Sequence, residues 1–423
     1  MRKMKDSGIE WIGEIPEDWE VGRVKNIAEL ISGYAFDSED LNIEGKNIVI
    51  RIGDIKDGSV DIENANKTNF NDEVLSFFQV KNNDVLIAMS GATVGKLGYV
   101  NFTPKNTYIN QRVGILRSSF SKFLYYALTT NKFIEYILLE SIGSAQPNIS
   151  NDGIKNYPLC IPSLPEQQRI ADFLDDKVSQ IDSVISKTRE TIEEYKKLKQ
   201  AIITEAVTKG LNPNAKMKNS GIEWIGEIPE EWECFYLSQI FTPVKNKNIG
   251  LIENNLLSLS YGKIIRKNIE TTFGLLPENF EGYNIIQEND IVLRLTDLQN
   301  DHKSLRVGIA KEKGIITSAY LTLRNQTNKI AKYFYYLLHS FDIAKGFYGM
   351  GAGVRQGLNW NEVRSLRMIA PKDISEQQQI ADYLDQKCSE IDNLITKKEQ
   401  LVVELEAYKK SLIYEVVTGK REV

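Results

Sequence analysis

Residues 166–182 read EQQRIADFLDDKVSQID, and nearly the same sequence returns as EQQQIADYLDQKCSEID at residues 376–392. Downstream of each copy, apolar residues recur at alternating spacings of four and three, which indicates a heptad seam on a long helix. The seam positions are Leu174, Val178, Ile181, Ile185, Thr188, Ile192 and Tyr195 in the first copy, and Leu384, Cys388, Ile391, Ile395, Lys398, Val402 and Leu405 in the second. The pattern predicts two long helices, 166–209 and its twin, that pack on each other.

Each predicted helix begins at a capping signal. Ser163 is followed three residues later by Glu166, and Asp373 by Glu376, so these side chains can satisfy the free backbone N–H groups of the first turn. Gly210 is a typical stop signal for the first helix. If a twofold axis relates the halves, the two helices run antiparallel. The alternative is a pair of separate surface helices.

A second repeat opens each half of the chain. Residues 3–21 read KMKDSGIEWIGEIPEDWEV and residues 216–234 read KMKNSGIEWIGEIPEEWEC, with 16 of 19 positions identical. The stretches between the repeated blocks, roughly 22–120 and 235–330, are largely unrelated in sequence. A repeated frame with two different modules suits a reader of an asymmetric two-part target, whereas two copies of one active site would resemble each other.

The composition is that of a globular chain without a metal or disulfide framework. Its 423 residues, 42% of them hydrophobic, suffice for two to four domains with buried cores. There is no apolar run of membrane-spanning length and no signal-peptide pattern at the start, which predicts a cytoplasmic protein. The cysteines Cys160, Cys234 and Cys388 are scattered, and only two histidines occur, so the sequence predicts no metal site.

The charge is distributed unevenly. The net charge of −5 argues against a nucleic-acid partner, but residues 85–134 contain no Asp or Glu and six basic residues. Residues 302–361 hold nine basic residues against Glu312 and Asp342. A basic region at matching places in both halves favours phosphate contacts. The alternative is ordinary surface lysines.

The modules are predicted to have mixed structure with short strands. The predicted strands are 47–52, 84–89, 114–116, 290–295 and 319–323. An aromatic helix closes each module, at 122–139 and 332–347, and we expect its aromatic residues to pack in the core rather than to stack on bases. The proline-bearing segments 158–165 and 367–371 then lead into the long helices.

The loop at residues 90–96 resembles a phosphate-binding loop only superficially. Three residues separate Gly91 from Gly95, where a P-loop has four, and Leu97 follows the lysine. A strand-end loop is expected instead, in which Ser90, Thr93 and Lys96 reach DNA; a plain turn is the alternative. Residues 347–351 fit the F-x-G-x-G pattern of methyltransferases, but no N-P-P-Y or D-P-P-Y motif occurs, which argues against a self-sufficient methyltransferase.

Two further loops carry side chains of base-reading types. Arg can pair with guanine, and Gln or Asn with adenine, from the major groove, although the same side chains also serve ordinary turns. These candidates are Ser144, Gln146 and Asn148 in one copy and Arg355, Gln356 and Asn359 in the other. The remaining predicted DNA contacts are Lys105, Arg112, Arg294, Lys303 and Arg306.

The whole order of leader, variable module and EQQ helix, repeated once, resembles the specificity subunit of type I restriction-modification enzymes. The leader GIEWIGEIP at 8–16 and 221–229 is also similar to that family. The resemblance implies a mixed α+β fold, with two α/β target-recognition domains in a pseudo-twofold repeat, joined by two long helices that form an antiparallel coiled coil. The implied domains are 1–162 and 211–372, with conserved helices at 163–210 and 373–423.

The resemblance also implies partners. Each domain would read one half of a split site in double-stranded DNA, while two modification subunits and then restriction subunits bind the helices. S-adenosylmethionine, ATP and magnesium are expected on those subunits, and neither a cofactor nor catalysis in this chain. Contacts to the modification subunits are expected at Gln167, Gln168, Ile170, Gln377, Gln378 and Ile380, unless this motif only locks each helix onto its module.

Departures from the family and other classes of function stay open. Residues 147–150 fit the family's usual module ending, whereas 357–360 fit it loosely, which weakens the contacts assigned in the second module. A coiled-coil scaffold whose modules bind protein or RNA is the main alternative. Competition by duplex DNA with a split motif would distinguish it. An unrecognised nuclease or methyltransferase would show activity in the purified chain alone.

Overall fold

The computed structural model describes residues 2–70, 72–141, 147–269, 279–298, 301, 305–350 and 357–423. The chain divides into two compact units. The first unit comprises Met1–Arg189 together with Gln400–Val423, and the second comprises Glu190–Glu399. Each unit contains one leader, one module and a segment of both long helices. The second unit is a continuous segment of the chain, whereas the first combines the two ends.

The described residues of the first unit form two larger sheets, of four and three strands, and two two-stranded sheets. Its strands are β1 (Met4–Asp6), β2 (Glu14–Pro16), β3 (Glu20–Arg23), β4 (Glu29–Ser32), β5 (Asn47–Ile50), β6 (Asn66–Thr68), β7 (Val85–Ala88), β8 (Leu97–Tyr99), β9 (Thr107–Ile109), β10 (Val113–Arg117) and β11 (Pro158–Ile161). Its helices are α1 (Asp72–Leu75), α2 (Ser121–Leu128), α3 (Asn131–Glu140), α4 (Asn151–Lys155) and the first part of α5 (Leu164–Lys209). An antiparallel sheet has the order β4-β10-β7-β8, and β5 lies between β6 and β9 in the other sheet.

The second unit repeats the larger sheet. Its strands are β12 (Met217–Asn219), β13 (Glu227–Pro229), β14 (Trp232–Tyr236), β15 (Phe241–Pro243), β16 (Leu257–Ser260), β17 (Lys263–Arg266), β18 (Asn284–Ile286), β19 (Ile291–Leu293), β20 (Val307–Ile309), β21 (Gly314–Ile316), β22 (Leu321–Asn325) and β23 (Arg367–Pro371). Its helices are α6 (Ala331–Ile343), α7 (Trp360–Val363), the last part of α5 and most of α8 (Ile374–Val417), whose end lies in the first unit. The order β15-β22-β19-β20 matches β4-β10-β7-β8 strand for strand.

In both units the central strand of this sheet packs against the aromatic helix. Strand β7 is buried along its whole length, and its Val85 and Ile87 share a core with Leu124 of α2. In the second unit, Ile291 of β19 shares a core with Phe334 of α6. Strands buried on both faces read as continuous apolar runs, which is why these two were found from sequence. The buried aromatic residues favour core packing over base stacking, as the sequence predicted.

The two long helices contact each other in each unit. In the first unit, Lys409 Nζ lies 2.6 Å from Asp182 Oδ1, and Arg189 Nη2 lies 2.6 Å from Glu406 Oε1. Residue numbers rise on one helix as they fall on the other, so the segments are antiparallel. In the second unit, Ile192 packs with residues of α8 along the predicted seam. Within the described ranges, no helix is both long and apolar enough to cross a membrane.

The glutamates at the start of each long helix do not close a capping box. Glu166 accepts a hydrogen bond from the indole N–H of Trp19 at 3.0 Å, and Glu376 accepts one from Trp232 at 3.1 Å. Asp373 does act as a cap, because its carboxylate accepts from the backbone N–H two residues later at 2.9 Å. The repeated tryptophan and the repeated glutamate therefore hold each leader against its own helix.

The first aromatic helix is broken where the sequence predicted a continuous one at 122–139. The hydroxyls of Thr129 and Thr130 donate to backbone carbonyls three residues earlier, at 2.9 and 3.2 Å. Such local bonds compete with helical ones, so α2 ends and α3 begins afresh. The second helix, predicted to reach residue 347, ends at Ile343. Lys345 then adopts a left-handed conformation with φ of 61°, which cannot continue a right-handed helix.

Candidate nucleic-acid interface

A buried carboxylate–arginine pair stands at the same place in both modules. Asp84 precedes β7 and accepts two hydrogen bonds from Arg117 of β10, at 2.8 and 2.7 Å. Asp290 precedes β19 and accepts two from Arg324 of β22, at 2.9 and 2.6 Å. These hydrogen bonds raise the pKa of both arginines above the ordinary value. Arg117 and Arg324, which the sequence counts among the basic residues, are thus paired inside the modules. They form part of the repeated structure, the frame, rather than a surface for phosphate.

The end of β7 brings together several of the predicted DNA contacts. The backbone N–H of Met89 donates to the carbonyl of Arg112 at 2.9 Å, and its carbonyl accepts from Ile149 at 2.9 Å. Ser90 and Asn148 form an isolated β-bridge beside these bonds. The side chains of Arg112 and Asn148 are exposed. The strand-end turn therefore joins three segments that are distant in sequence.

Within this turn, the predicted residues have different environments. The hydroxyls of Ser90 and Thr93 are buried and have no hydrogen-bond partner among the described residues. Lys96 keeps 31% of its side chain exposed, and its Nζ lies 3.3 Å from Asp57 Oδ1. Gly91 adopts φ of 76°, which a residue with a side chain rarely adopts. Lys96 is the cation of this turn that is accessible to a phosphate.

Several predicted contacts lie elsewhere. Lys105 is exposed but precedes β9, and its neighbour Asn106 accepts a hydrogen bond from Ile48 of β5. Lys105 thus lies in the loop beside the smaller sheet, and no described contact joins it to the turn after β7. Five predicted contacts lie outside the described residues. They are Ser144, Gln146, Lys303, Arg355 and Gln356.

In the second module the equivalent positions are occupied differently. The N–H of Ala88 donates to the carbonyl of Lys96 at 2.9 Å, and the N–H of Arg294 donates to that of Arg306 at 2.9 Å, so Lys96 and Arg306 hold the same register. Arg294 is partly exposed and lies 3.5 Å from Asp301. Arg306, in contrast, is completely buried. Its assignment as a DNA contact is therefore corrected to an internal role, because its side chain does not reach the surface.

Asn359 also has a structural role. Its side chain caps α7 by accepting a hydrogen bond from the N–H of Asn361 at 2.8 Å. In the first module, Ser150 caps α4 by accepting from Gly153 at 3.0 Å. The counterpart of Asn359 is thus Ser150, whereas Asn148 corresponds to the position before Leu358. A side chain that caps a helix has less freedom to read a base, which weakens the assignment of Asn359.

Most of the predicted contacts to partner subunits are buried within their own units. Gln167 and Gln377 are 2% and 0% exposed, and each donates to a proline carbonyl just before its helix, at 2.9 and 2.8 Å. Ile170 and Ile380 are also buried. These four residues are corrected to the alternative reading, in which the motif locks each helix onto its module. The exposed members of the set are Gln168 and Gln378.

The sequence contains a signal for the carboxylate–arginine pair that the prediction does not use. An Asn-Asp pair stands before each central strand, at 83–84 and 289–290, and an arginine follows 33 or 34 residues after the aspartate. Asn83 and Asn289 have φ of 69° and 67°, so asparagine forms the same tight turn in both modules. The shared spacing of these residues would have revealed one frame beneath two divergent modules.

Comparison with known proteins shows what these two modules resemble. The model of the type I restriction modification DNA specificity domain matches the chain twice, at 16–194 and at 229–404. The chain belongs to this family. The two matches include both modules and most of both long helices, as a duplicated specificity domain requires.

Relatives extend over nearly the whole specificity chain. The type I restriction enzyme MjaVIII specificity subunit of Methanocaldococcus jannaschii is 26% identical over 438 residues, which cover 97% of this chain and 94% of that protein. The StySPI specificity subunit of Salmonella potsdam is 23% identical over 438 residues, which cover 96% of this chain and 90% of that protein. A solved chain from the type I R-M system shares the fold, with a TM-score of 0.69, 13% identity, and coverage of 96% of this chain and 99% of that one.

Proposed function

We propose that this chain is the DNA sequence-recognition subunit of a type I restriction-modification complex, and that each module reads one half of an asymmetric site. The observation that carries the proposal is a single strand order whose equivalent strand-end positions hold different side chains. Lys96 stands where the second module has Arg306, and Asn148 stands where it has Gly357. Since base choice depends on side chains at such loops, the two half-sites should differ.

Exposed basic residues of the modules would supply the affinity. Lys96, Lys105 and Arg112 are at least partly exposed in the first module, as is Arg294 in the second. Contacts of lysine and arginine with phosphate fix a protein on the duplex without reading its sequence. A few loop side chains would then make the choice of bases, from the exposed Asn148 and from the segments that include Gln146 and Arg355.

The two long helices would form an antiparallel coiled coil that sets the gap between half-sites. The reversed order of the ion pairs between α5 and α8 in the first unit supports this arrangement. Helix α5 has 46 residues, which corresponds to a length of about 69 Å. Two modules on one face of B-DNA require half-sites about one helical turn apart, roughly 10 bp between centres. Residues inserted at 185–195 should change this gap and leave both half-sites unaltered.

Partner subunits would bind the exposed apolar residues of the helices. Val184 of α5 and Tyr408 of α8, in the first unit, are 47% and 49% exposed. Leu198 of α5 and Leu394 of α8, in the second unit, are 48% and 42% exposed. The repeat relates Val184 to Leu394 and Leu198 to Tyr408, at the 210-residue offset of the EQQ motif. Two matched surfaces would suit two copies of one partner, the modification subunit.

The chain would contribute recognition and assembly to the complex and perform no catalysis itself. S-adenosylmethionine would bind the modification subunits, and ATP and magnesium the restriction subunits. The domains are proposed at 1–162 and 211–372, with the helical segments 163–210 and 373–423 completing each compact unit. Each unit would thus combine one reader with both helices.

The proposal is tested by the methylation that the complex installs. The chain is purified with its modification subunit, the complex methylates random-sequence DNA, and the modified adenines are located by sequencing. A split, asymmetric motif with a fixed gap is the expected result. A complex that forms but installs no methylation at a split motif would contradict the two-reader proposal. Binding of RNA or protein in preference to split duplex DNA would favour a scaffold.

A further inference from the structure

The guanidinium of Arg306 is buried in the second module without a carboxylate partner for its side chain among the described residues. All five of its N–H groups are used. Nε donates to the hydroxyl of Tyr348 at 3.1 Å, and Nη1 donates to the carbonyls of Arg294 and Thr296 at 3.1 and 2.8 Å. Nη2 donates to the carbonyls of Asp297 and Asp301 at 3.3 and 2.6 Å. The cation thus binds four backbone carbonyls that follow β19.

Burial of the Arg306 guanidinium costs free energy of hydration, which its contacts must offset. A buried charge is stable only where hydrogen bonds replace its hydration. All five N–H groups of a guanidinium are donors, so each of them needs an acceptor. The backbone N–H of Arg306 donates to Asp342 Oδ2 at 2.6 Å, which ties the residue to α6. The ring of Tyr348 lies 5.1 Å from the guanidinium carbon. Arg306 therefore contacts α6, Tyr348 and the turn after β19.

The turn that Arg306 contacts is hydrogen-bonded to the end of the loop predicted to read bases. The carbonyl of Leu295 accepts a hydrogen bond from the N–H of Leu358 at 2.9 Å, directly after the segment that contains Arg355 and Gln356. The position of that loop end thus depends on the position of the turn. The first module uses Met89 and Ile149 in the same way.

The two modules meet one backbone requirement by different means. Gly91 takes the left-handed conformation of the first turn at φ of 76° without steric cost. The second turn has Asp297 at φ of 57°, a conformation that costs free energy for a residue with a side chain. The carbonyl of Asp297 is one of the four that Arg306 binds. The buried cation thus stabilises a turn that glycine forms unaided in the other module.

We propose that Arg306 is a positioning residue for the second half-site. It fixes the turn at 294–297, and through Leu358 the end of the reading loop, without touching DNA. The inference rests on the proposed function, because it needs a second half-site to act upon. Lys96, which has the same register in the first module, is accessible and does not have this role.

The test compares Arg306→Met with Arg266→Met in the assembled modification complex. Arg266 is an exposed arginine of the same module, with 72% of its side chain exposed, that pairs with Glu312. In the Arg306→Met complex, we expect the preference for the second half-site to fall by roughly tenfold or more while the first half-site and the gap are kept. The Arg266→Met complex should keep both half-sites. Methylation of a random-sequence library gives all of these values at once.

Chemical rescue separates positioning from a role in folding. Arg306→Ala leaves the cavity that the guanidinium and two methylene groups occupied, and ethylguanidinium below denaturing concentration should restore the preference for the second half-site. A split motif in the wild-type complex that Arg306→Met leaves unchanged would overturn this inference alone. So would failure of rescue in Arg306→Ala, whether that variant is folded or not. A wild-type complex without a split motif would instead overturn the proposed function.

Discussion

The two modules share a strand order and an aspartate–arginine pair, and they differ at the turn after the central strand. Both brace the central strand with a buried aspartate and an arginine, in nearly identical geometry. At the following turn, the first module has Gly91 and an accessible Lys96, whereas the second has Asp297 and a buried Arg306. Residues that stabilise the modules are thus repeated, while the positions proposed to shape recognition diverge.

The largest effect is expected from removing a carboxylate of the shared frame. Asp84→Ala leaves Arg117 without its buried partner, and we expect the free energy of unfolding of the first unit to fall by about 3–5 kcal/mol. Asp290→Ala should do the same in the second unit, because Arg324 has the same geometry. Urea unfolding followed by hydrogen exchange assigns each loss to its unit.

A matched control exists in the first module. Asp57 also pairs with a basic residue, but its side chain is 94% exposed, so Asp57→Ala should change stability little. If Asp84→Ala and Asp57→Ala had equal effects, the carboxylate–arginine pair would not be part of the frame.

The next effect depends on pH and is confined to the second unit. Burial lowers the pKa of His339 to about 4, and its Nδ1 has no partner among the described residues. The unfolded chain binds this proton near pH 6.5 and the folded chain only near pH 4, so stability falls as the pH decreases between these values. The expected loss for His339 is about 3 kcal/mol.

Substitution of His339 isolates this contribution from the titration of carboxylates. His339→Leu cannot bind the proton, so the stability of its second unit should decrease less between pH 6.5 and pH 4 than that of the wild type. The first unit has Thr129 at the equivalent helical position and should respond alike in both proteins. Hydrogen exchange at several pH values measures both units. Parallel pH profiles for the two proteins would contradict the buried, neutral histidine.

A smaller effect is expected where the leaders meet the long helices. Trp232→Phe removes the hydrogen bond to Glu376, whose carboxylate has no other side-chain partner among the described residues. Trp19→Phe leaves Glu166 paired with Arg2. We expect a loss of about 1–2 kcal/mol for Trp232→Phe and a smaller loss for Trp19→Phe. Unfolding of the two single variants tests the order, and Arg2→Met combined with Trp19→Phe should remove the difference.

The sequence was sufficient for the parts of the molecule that repeat or alternate. The heptad positions Ile181 and Ile192 are buried as predicted, and the segment predicted at 367–371 forms strand β23 with the same bounds. Such features depend on periodicity, which is visible in one chain. The break at Thr129 and Thr130 was missed, because local hydroxyl bonds do not disturb the apolar pattern.

The candidate site was harder to predict, since burial of a polar side chain leaves no mark in composition. Arg306 lies in a basic region, which predicts an exposed DNA contact, yet it is completely buried. Gln167 was assigned to a partner, yet its amide bonds a carbonyl of its own unit. In both cases the side chain satisfies backbone groups, and the need for such a partner arises only from the three-dimensional path of the chain.

The smallest expected effect on stability concerns Lys96, and it sharpens the contrast with Arg306. Lys96→Met removes an exposed pair with Asp57, so the fold should be little affected. If Lys96 binds a phosphate, the affinity should fall alike for all sequences, and the slope of log affinity against log salt should decrease by about 1. The preference for the first half-site should stay as in the wild type. Titrations at several salt concentrations, with matched and scrambled half-sites, measure both quantities. A variant that loses the half-site preference and keeps the salt slope would make Lys96 a reader of bases, and the two equivalent positions would then differ in mechanism less than their burial indicates.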